Sequence, residues 1–404
     1  MIVKLMASWS YLTHQIEWSE KLYKKIQDYG LAILASEERT GKTGTFIKVA
    51  ELSKASRILI LTKKAAIGGI QEHIDNLGAT KDYTVINYQS VHKVEGEFDF
   101  IILDEFHQAL CSYPKPSDTF KTVSKLTKEK PILYVSATPF SESYSQSYHA
   151  LKLSSWTPFK HKRFYDWHRA YGIEDSIWMN GRQVKQYHGT QEAVIKSILS
   201  KYILKATRQE IGFKHEPTDH LHYVELNAQT VADIKMYQKA KMKHFCAEPI
   251  PLDSAMAEMN AVYLRGGGIV EHNKDCYQLS SEKLDYFLEH FGDYEDVAVM
   301  AHYVCEQKLL DSELKNATVL SSTAHAEGVD LHKFKHLVIY SLGFSTSKHV
   351  QRRARQCNIN REVPIDVHFL LTDNGLDKHV YECVDTKKTN FTARIYNDRA
   401  AITE

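Results

Sequence analysis

Short apolar runs alternate with amphipathic segments in the first third of the chain. The apolar runs have the length of strands and occupy residues 31–35, 57–61, 83–87, 98–103 and 132–135. The segments with helical spacing occupy residues 12–29, 43–54, 65–77 and 117–128. Strand-length runs separated by helices predict right-handed βαβ units and a parallel sheet, which binds ligands at the carboxyl ends of its strands.

The alternation stops at about residue 141 and returns towards the end of the chain. Strands are predicted there at residues 220–226, 297–301, 318–321, 336–340 and 365–371. Helices are predicted at residues 282–290, 303–314 and 346–356. We therefore predict an α/β protein with two parallel-sheet domains in tandem, at residues 1–152 and 153–404. A connecting or inserted segment is expected at about 153–216.

The length and composition are those of a globular protein with about two domains. The 404 residues are 43% hydrophobic, which is enough to form cores. Lys and Arg number 51 against 50 Asp and Glu, so any groove for nucleic acid must be a local basic feature. The sequence has neither a signal peptide nor a run of the roughly 20 apolar residues that span a membrane. We expect a soluble, cytoplasmic protein.

Cysteine and histidine give no sign of a metal site. The six cysteines are scattered without C-x-x-C pairs, which argues against a disulfide framework and against a cysteine-rich zinc site. The 21 histidines form no cluster at metal-ligand spacing. We expect ordinary surface and core histidines in a reducing environment.

The clearest chemical motif is a loop between the first predicted strand and the next helix. It reads Glu38-Arg39-Thr40-Gly41-Lys42-Thr43-Gly44. Such a loop brings backbone N–H groups and a helix N-terminus to a phosphate chain, with Lys42 as a point charge and the Thr43 hydroxyl as a ligand for phosphate-bound Mg²⁺. Ser36 stands where the common pattern G-x-x-x-x-G-K-S/T has its first glycine.

Two further polar clusters follow predicted strands at the same edge of the sheet. They are Asp104-Glu105-Phe106-His107 and Ser136-Ala137-Thr138-Pro139. Beside a phosphate loop, one acid of such a pair holds Mg²⁺ and the second orients the attacking water, while the hydroxyls bond to the acids. Taken alone, the acids would suit a helix N-cap and its first turn, and the second cluster would suit a turn.

Basic residues cluster in three other places. Residues 160–169 interleave Lys, His and Arg with aromatic residues, which suits a nucleic-acid groove or a solvated helix whose aromatics pack inward. Lysines between 235 and 243 are typical of a solvated helix face. Arg352 and Arg355 would share one face of the helix at 346–356, and an arginine that reaches a γ-phosphate stabilises the transition state. No hairpin that would act as a wedge between strands is evident.

Taken together, these segments resemble the ATP-dependent motors of helicase superfamily 2. Within it they resemble the chromatin-remodeller-like (Swi/Snf-type) double-stranded DNA translocases in their compact phage and bacterial form. The resemblance covers nearly the whole chain. In the first lobe it lies in residues 12–15, 38–43, 61–64, 86–88, 104–107 and 136–138. Residues 202–211 are similar to the L-R-R-x-K-x-D-V signature of the remodeller branch, and residues 223–227 with 236–237 to its V-x-L-S/T strand and following tyrosine.

The second lobe carries two further matches. Residues 322–331 are similar to motif V, with Ser322 in the usual threonine position. The run Gln351-Arg352-Arg353-Ala354-Arg355 resembles the Q-x-x-G-R of motif VI. Asn358 occupies the position of the second motif VI arginine. Arg361, about one turn on, is an alternative if the helix continues through Asn358.

The resemblance implies two RecA-like domains with one ATP site in the cleft between them. It implies a nucleic-acid-stimulated ATP hydrolase with Lys42, Asp104, Glu105 and Arg355 as its catalytic side chains and Thr43 and Asp104 as Mg²⁺ ligands. Nucleotide contacts are expected from Gln15, Arg39, Thr40, Gly41, Lys42, Thr43, Gly44, Gly328, Asp330, Gln351 and Arg355. Coupling is expected from His107, Ser136 and Thr138, and nucleic-acid contacts from Lys63, Lys64, Tyr88 and Ser322.

The implied function is a translocase that couples ATP hydrolysis to movement along duplex DNA. Two alternatives stay open on the sequence. One is a strand-separating DNA or RNA helicase of the same superfamily. The other is a nucleotide-gated binding or adaptor protein with little turnover. The expected partners are ATP, Mg²⁺, nucleic acid and a protein for targeting. We expect a monomer without membrane contact in a prokaryotic or phage-infected cell.

Overall fold

The computed structural model describes residues 9–179, 182–240, 242–243, 250–251, 255–314, 317–321, 331, 334–373 and 375–386. The chain divides into two compact units, Met1–Gly212 and Phe213–Glu404. The division falls later than the expected 152/153 boundary, because the strand Ile203–Ala206 pairs with the strand Leu31–Ser36 of the first unit. Residues 153–212, expected to belong to the second domain, therefore pack within the first unit.

The first unit contains eight strands and eight α-helices among its described residues. Its strands are β1 Leu31–Ser36, β2 Arg57–Thr62, β3 Asp82–Asn87, β4 Phe100–Asp104, β5 Ile132–Ser136, β6 Asp175–Met179, β7 Arg182–Gln186 and β8 Ile203–Ala206. Its helices are α1 Thr13–Tyr29, α2 Lys42–Leu52, α3 Ile67–Asn76, α4 His107–Leu110, α5 Asp118–Leu126, α6 Gln146–Lys152, α7 Phe164–Tyr171 and α8 Glu192–Leu199.

The main sheet of the first unit is parallel and has the strand order β3-β2-β4-β5-β1-β8. Its central strands read as continuous apolar runs because helices cover both faces. In β1, Leu31 and Ile33 join one core, and Ala32 and Leu34 join the core on the opposite face. The strands predicted for residues 31–135 all form, within two residues of their expected bounds.

The second unit contains a parallel sheet with the order β15-β14-β16-β17-β9. Its described strands are β9 Pro217–Val224, β10 Met242–Lys243, β11 Ile250–Pro251, β12 Ile269–His272, β13 Asp275–Gln278, β14 Val297–Ala301, β15 Thr318–Ser321, β16 His336–Ile339 and β17 Ile365–Thr372. Its described helices are α9 Ala228–Ala240, α10 Ala255–Gly266, α11 Glu282–Phe291, α12 Val304–Glu313, α13 Thr346–Arg353 and α14 Leu376–Tyr381. The predicted α/β class with two parallel sheets is confirmed.

Several features were not expected from the sequence. They include the antiparallel hairpins β6–β7 and β12–β13, and no observation tests whether β6–β7 acts as a wedge. A disulfide between Cys276 of β13 and Cys305 of α12 was also not expected. The expectation that the cysteines form no disulfide is wrong for this pair. The two cysteines are 29 residues apart, and only the packing of the β12–β13 hairpin beside α12 brings their Cα atoms to 5.4 Å.

Among the described residues, no helix is both long enough and apolar enough to cross a bilayer.

Candidate nucleotide-binding site

The predicted phosphate loop joins β1 to α2 at the carboxyl edge of the first sheet. Arg39 and Gly41 take left-handed backbone conformations, with φ of 67° and 79°. These two residues turn the chain so that α2 begins at Lys42, and Gly41 has no side chain with which to cap that helix. The first amides of α2 therefore remain donors for an anion, with the positive end of the helix dipole behind them.

Gln15 of α1 packs against this loop and lies close to two of its glycines. Its Nε2 donates to the carbonyl of Gly41 at 2.9 Å, and its Oε1 accepts from the amide of Leu12 at 2.9 Å. A Cβ at Gly41 or at Gly44 would lie 2.5 Å from the same Nε2. A side chain at either position would have to displace Gln15, and the left-handed backbone at Gly41 favours glycine there in addition. The residue expected to contact adenine therefore lies directly beside the phosphate loop.

Side chains of the loop bond to its own backbone. The Lys42 ammonium donates to the carbonyls of Ser36 and Glu37, at 3.2 and 3.0 Å. The Thr40 hydroxyl donates to the Glu37 carbonyl at 2.8 Å and lies 3.1 Å from the Ser36 hydroxyl. The buried Ser36 hydroxyl is thus used inside the loop, which shows how a serine fits where the common pattern has glycine. Thr43 is half-buried in the first turn of α2.

Asp104 ends β4 and is almost fully buried. Its Oδ2 accepts a hydrogen bond of 2.7 Å from Thr62, the last residue of the neighbouring strand β2. Burial, and next the charge of Glu105, raise the pKa of Asp104 to about 7, although Thr62, Lys42 and Lys63 act in the opposite direction. A bound cation would favour the ionised form of this carboxyl, and its hard oxygen atoms suit Mg²⁺.

A chain of polar contacts leads from Glu105 to the end of β5. His107 Nδ1 lies 3.4 Å from Glu105 Oε2 and 2.9 Å from the Ser136 hydroxyl. The Ser136 hydroxyl in turn accepts from the amide of Thr138 at 3.1 Å. Glu105 itself has φ of 48°, and its amide donates to the Val135 carbonyl at 2.9 Å. His107, Ser136 and Thr138, the three residues expected to couple, therefore belong to one connected group beside Glu105.

Arg208 is a residue whose place in the site was not predicted. It follows β8, is 8% exposed, and its amide donates to Glu37 Oε2 at 2.7 Å. Its guanidinium lies 3.9 Å from Glu37 and 3.7 Å from Glu38. The sequence marked Arg208 only as part of the remodeller-like signature, because 171 residues separate it from the loop that it contacts.

Three residues expected to touch nucleic acid occupy different environments in the first unit. Tyr88 is only 4% exposed, and its hydroxyl donates to the Asp104 carbonyl at 2.7 Å. The expectation that Tyr88 contacts nucleic acid is therefore corrected, since its ring packs in the core and its hydroxyl supports the end of β4. Lys64 is exposed and Lys63 is half-buried, at the start of the short 3-10 helix Lys64–Ala66.

The motif VI-like residues of the second unit lie on α13 and in the 3-10 turn Ala354–Gln356 that follows it. Gln351 is buried and Arg355 is half-buried. The helix does not continue through Asn358, so Arg361 does not lie on its next turn. The Arg361 guanidinium donates instead to the carbonyls of Phe334, Val363 and Pro364, which makes the alternative assignment of this residue wrong.

Three expected site residues lie outside the described part of the chain: Ser322, Gly328 and Asp330. Elsewhere in the described residues, Asp219, His349 and Asp385 bring possible metal-ligand atoms within 4.8 Å of one another. Arg353 already supplies the positive charge there, at 2.9 Å from Asp219 and 3.6 Å from Asp385. This group therefore fastens α13 to the sheet by ion pairs.

No protein-family model and no curated protein matches the chain. Two solved structures with similarity to it come from Sulfolobus solfataricus. The SWI2/SNF2 ATPase core in complex with dsDNA is 12% identical, covering 99% of this chain and 95% of that chain, with a TM-score of 0.45. The SWI2/SNF2 ATPase core domain is 13% identical, covering 98% and 95%, with a TM-score of 0.43.

Proposed function

We propose that the chain is an ATP-hydrolysing motor of the superfamily 2 type that moves along nucleic acid, with duplex DNA as its track. The observation that carries this proposal is the row of groups along one sheet edge. The phosphate loop follows β1, Ser136 ends the adjacent strand β5, and beyond β5 the strand β4 ends at Asp104 and is followed by Glu105. A phosphate cradle and two acids along one sheet edge are the components that phosphoryl transfer from a nucleotide needs.

In the proposed reaction, the amides of α2 and the Lys42 ammonium bind the phosphate chain. Binding requires the Lys42 ammonium to exchange the carbonyls of Ser36 and Glu37 for phosphate oxygens. Thr43 and Asp104 are the residues that would hold Mg²⁺, which when bound neutralises charge on the phosphates. Gln15, beside the loop, is in a position that suits contact with the base.

Glu105 is proposed to orient the attacking water and to take up its proton. His107 Nδ1 lies 3.4 Å from Glu105 Oε2 and forms a hydrogen bond of 2.9 Å with the Ser136 hydroxyl. A change in the position of Glu105 on hydrolysis would therefore be passed to Ser136 and to the Thr138 amide. We propose that this group links the state of the nucleotide to the grip on DNA, with Lys63, Lys64 and Ser322 as phosphate-backbone contacts. The assignment of Arg355 to the γ-phosphate stays a prediction.

The proposal is tested by the steady-state ATPase rate measured without nucleic acid and with single-stranded DNA, duplex DNA or RNA. Stimulation by duplex DNA alone is the expected result. Stimulation by single strands or RNA would favour the strand-separating alternative, and no stimulation would favour an adaptor. Lys42→Ala serves as the control, because a rate that survives this change would come from a contaminating ATPase.

A strand-separating helicase is kept as a second candidate because of one observation. The hairpin of β6 and β7 stands apart from the main sheet of the first unit. A wedge of this form is what unwinding requires in addition to a motor. Release of a labelled strand from a partial duplex, with ATP present, separates this candidate from a translocase that leaves the strands paired.

A further inference from the structure

The basic and aromatic segment at residues 160–169 has no role in the proposed ATPase site. On α7, Phe164 and Trp167 are buried in the core of the first unit. The side chains of Lys160, Lys162 and Arg169 are exposed. Phe164 and Trp167 thus pack inward, as one of the two sequence interpretations expected, while Tyr165 and the cations are exposed.

A cavity of about 560 Å³ lies between α7 and this hairpin. Its walls combine aromatic and hydrogen-bonding side chains with two cations, Arg169 and Lys185, and two carboxylates, Glu174 and Asp175. The aromatic members are Tyr165, His168 and Tyr187. A cavity of this volume with a few convergent polar groups is of the size that holds a small organic ligand.

His168 gives the cavity an acceptor without a partner. The ring is 7% exposed and packs so closely on Gly172 that a Cβ there would lie 2.4 Å from it. A ring nitrogen bonds to the backbone of Gly189, whereas Nε2 is buried and has no hydrogen-bond partner among the described residues. Burial lowers the pKa of His168, so the ring is neutral and Nε2 offers a lone pair to a donor.

The aromatic wall and the cationic rim define the rest of the ligand. The ring of Tyr187 contacts those of Tyr165 and His168, with centroids 5.5 and 5.1 Å away. Tyr165 is 46% exposed, so one side of this aromatic wall is open to a planar group. Arg169 and Lys185 are exposed cations at the same cavity. The combination suits a flat ring that carries N–H donors and an anionic group.

We propose that this cavity binds one unpaired nucleotide. Its base would stack on Tyr165 and meet Tyr187, whose ring stands edge to face with that of Tyr165. An N–H group of the base would donate to His168 Nε2, and its phosphate would lie at Arg169 and Lys185. Stacking on aromatic rings with cations along the backbone is the general means by which proteins hold unpaired nucleotides. The nucleotide has two possible sources, the unpaired end of a DNA strand and a free mononucleotide. For the first source, the inference rests on the proposed nucleic-acid function.

The test compares binding of two labelled probes to the full chain by fluorescence anisotropy at one salt concentration. One probe is a blunt duplex, and the other is the same duplex with a single-stranded extension. Thymidine monophosphate, followed by calorimetry, represents the free nucleotide. We expect the extension to tighten binding, and Tyr165→Ala to weaken binding of the extended probe about tenfold. Tyr165→Phe, which keeps the ring, should bind like the parent chain.

Tyr277→Ala is the matched control, because Tyr277 is a similarly exposed tyrosine on the other hairpin, β12–β13. It should change none of these affinities. Binding of thymidine monophosphate that depends on Tyr165, without an advantage for the extension, would support the cavity and assign it to free nucleotides. The inference is overturned if neither ligand binds in a Tyr165-dependent way, or if Tyr165→Ala weakens both duplex probes equally. The ATPase rates with blunt duplex judge the motor separately.

Discussion

The carboxyl edges of the two parallel sheets hold similar kinds of side chain in opposite states. At the first edge, Lys42 is half-buried and donates hydrogen bonds to carbonyls of the loop. The Asp104 carboxyl accepts a hydrogen bond from a neutral hydroxyl. At the second edge, Lys283 and Asp377 form an ion pair of 3.2 Å whose side chains are 0% and 2% exposed. At the first edge the lysine and the acid are bonded to neutral groups, whereas at the second edge they are paired with each other.

The second edge is closed by a network of buried partners. Thr372, the last residue of β17, donates to Asp377 at 2.7 Å, and Lys283 also lies over the ring of Tyr340. Beside them, Glu306 accepts from the Ser341 hydroxyl and from the Tyr303 amide. Burial raises the pKa of Glu306 to about 7. A lysine and two acids at a strand edge therefore do not by themselves make a ligand site, because what matters is whether the chain supplies its own counter-charges.

The largest expected effect is on kcat, and it distinguishes Glu105 at the first edge from Glu306 at the second. Glu105→Gln should bind ATP yet lower kcat by about 10³-fold, since an amide cannot accept the proton of the attacking water. Glu306→Gln makes the same change at the closed edge and should leave kcat within about twofold, because burial already favours its neutral form. Single-turnover ATP hydrolysis measures both. An unchanged kcat in Glu105→Gln would contradict the catalytic assignment.

The second unit has one residue that is expected to act in catalysis. Arg355→Ala should lower kcat by about 10²-fold if the guanidinium stabilises charge on the γ-phosphate. Arg361→Ala should instead lower the melting temperature and leave kcat unchanged, because the Arg361 guanidinium donates hydrogen bonds to the carbonyls of Phe334, Val363 and Pro364. Steady-state kinetics and thermal unfolding of both variants decide between them. The same kinetic loss in both would mean that Arg355 acts only through the fold.

The closed edge is tested by removing one partner of its ion pair. Lys283→Met leaves Asp377 buried without its cation and should lower the free energy of unfolding by about 3 kcal/mol. The double change Lys283→Met with Asp377→Leu should recover much of that loss. Lys42→Met is the matched change at the open edge and should cost less than about 1 kcal/mol, since Lys42 is only half-buried. Denaturant titration gives the free energy of unfolding of all three variants. Equal losses for Lys283→Met and Lys42→Met would contradict the difference between the two edges.

The raised pKa of Asp104 predicts a dependence on pH. The folded protein keeps this proton to a higher pH than the unfolded chain, so the stability contributed by the neutral carboxyl is complete below about pH 4 and is lost as pH rises through about 7. Mg²⁺ requires the carboxylate, so binding of ATP with Mg²⁺ should tighten roughly tenfold from about pH 6 to about pH 8. Equilibrium titrations with a fluorescent ATP analogue measure this. If the pH dependence of binding persists in Asp104→Asn, it comes from titration of the nucleotide and not of Asp104.

The smallest expected effect concerns the support of the phosphate loop by Arg208. Arg208→Ala removes the guanidinium from Glu37 and Glu38 but keeps the backbone hydrogen bond, so KM for ATP should rise about fivefold with little change in kcat. Arg208→Lys should restore part of the loss. Arg57→Ala removes an exposed ion pair with Asp82 on the same sheet and should change neither constant. A fall in melting temperature without a change in KM would show that Arg208 is only structural.

Local patterns in the sequence were sufficient for the elements and for the motifs at their ends. The predicted strands of both sheets form because continuous apolar runs can be buried only between helical layers. The phosphate loop and Asp104-Glu105 follow their strands as expected, since a motif that directly follows a strand in a parallel sheet must lie at its carboxyl edge. The strands and the motifs at their ends are therefore determined by residues that lie close together in the sequence.

Contacts between distant segments were decided only by the tertiary structure. Arg208 reaches Glu37, Cys276 reaches Cys305, and Tyr88 turns its hydroxyl to the Asp104 carbonyl because packing brings separate segments together. The sequence alone determined that a lysine, two acids and a serine would line a sheet edge. Whether such charges stay available or are paired, as Lys283 is with Asp377, depends on which side chains of remote elements are buried beside them.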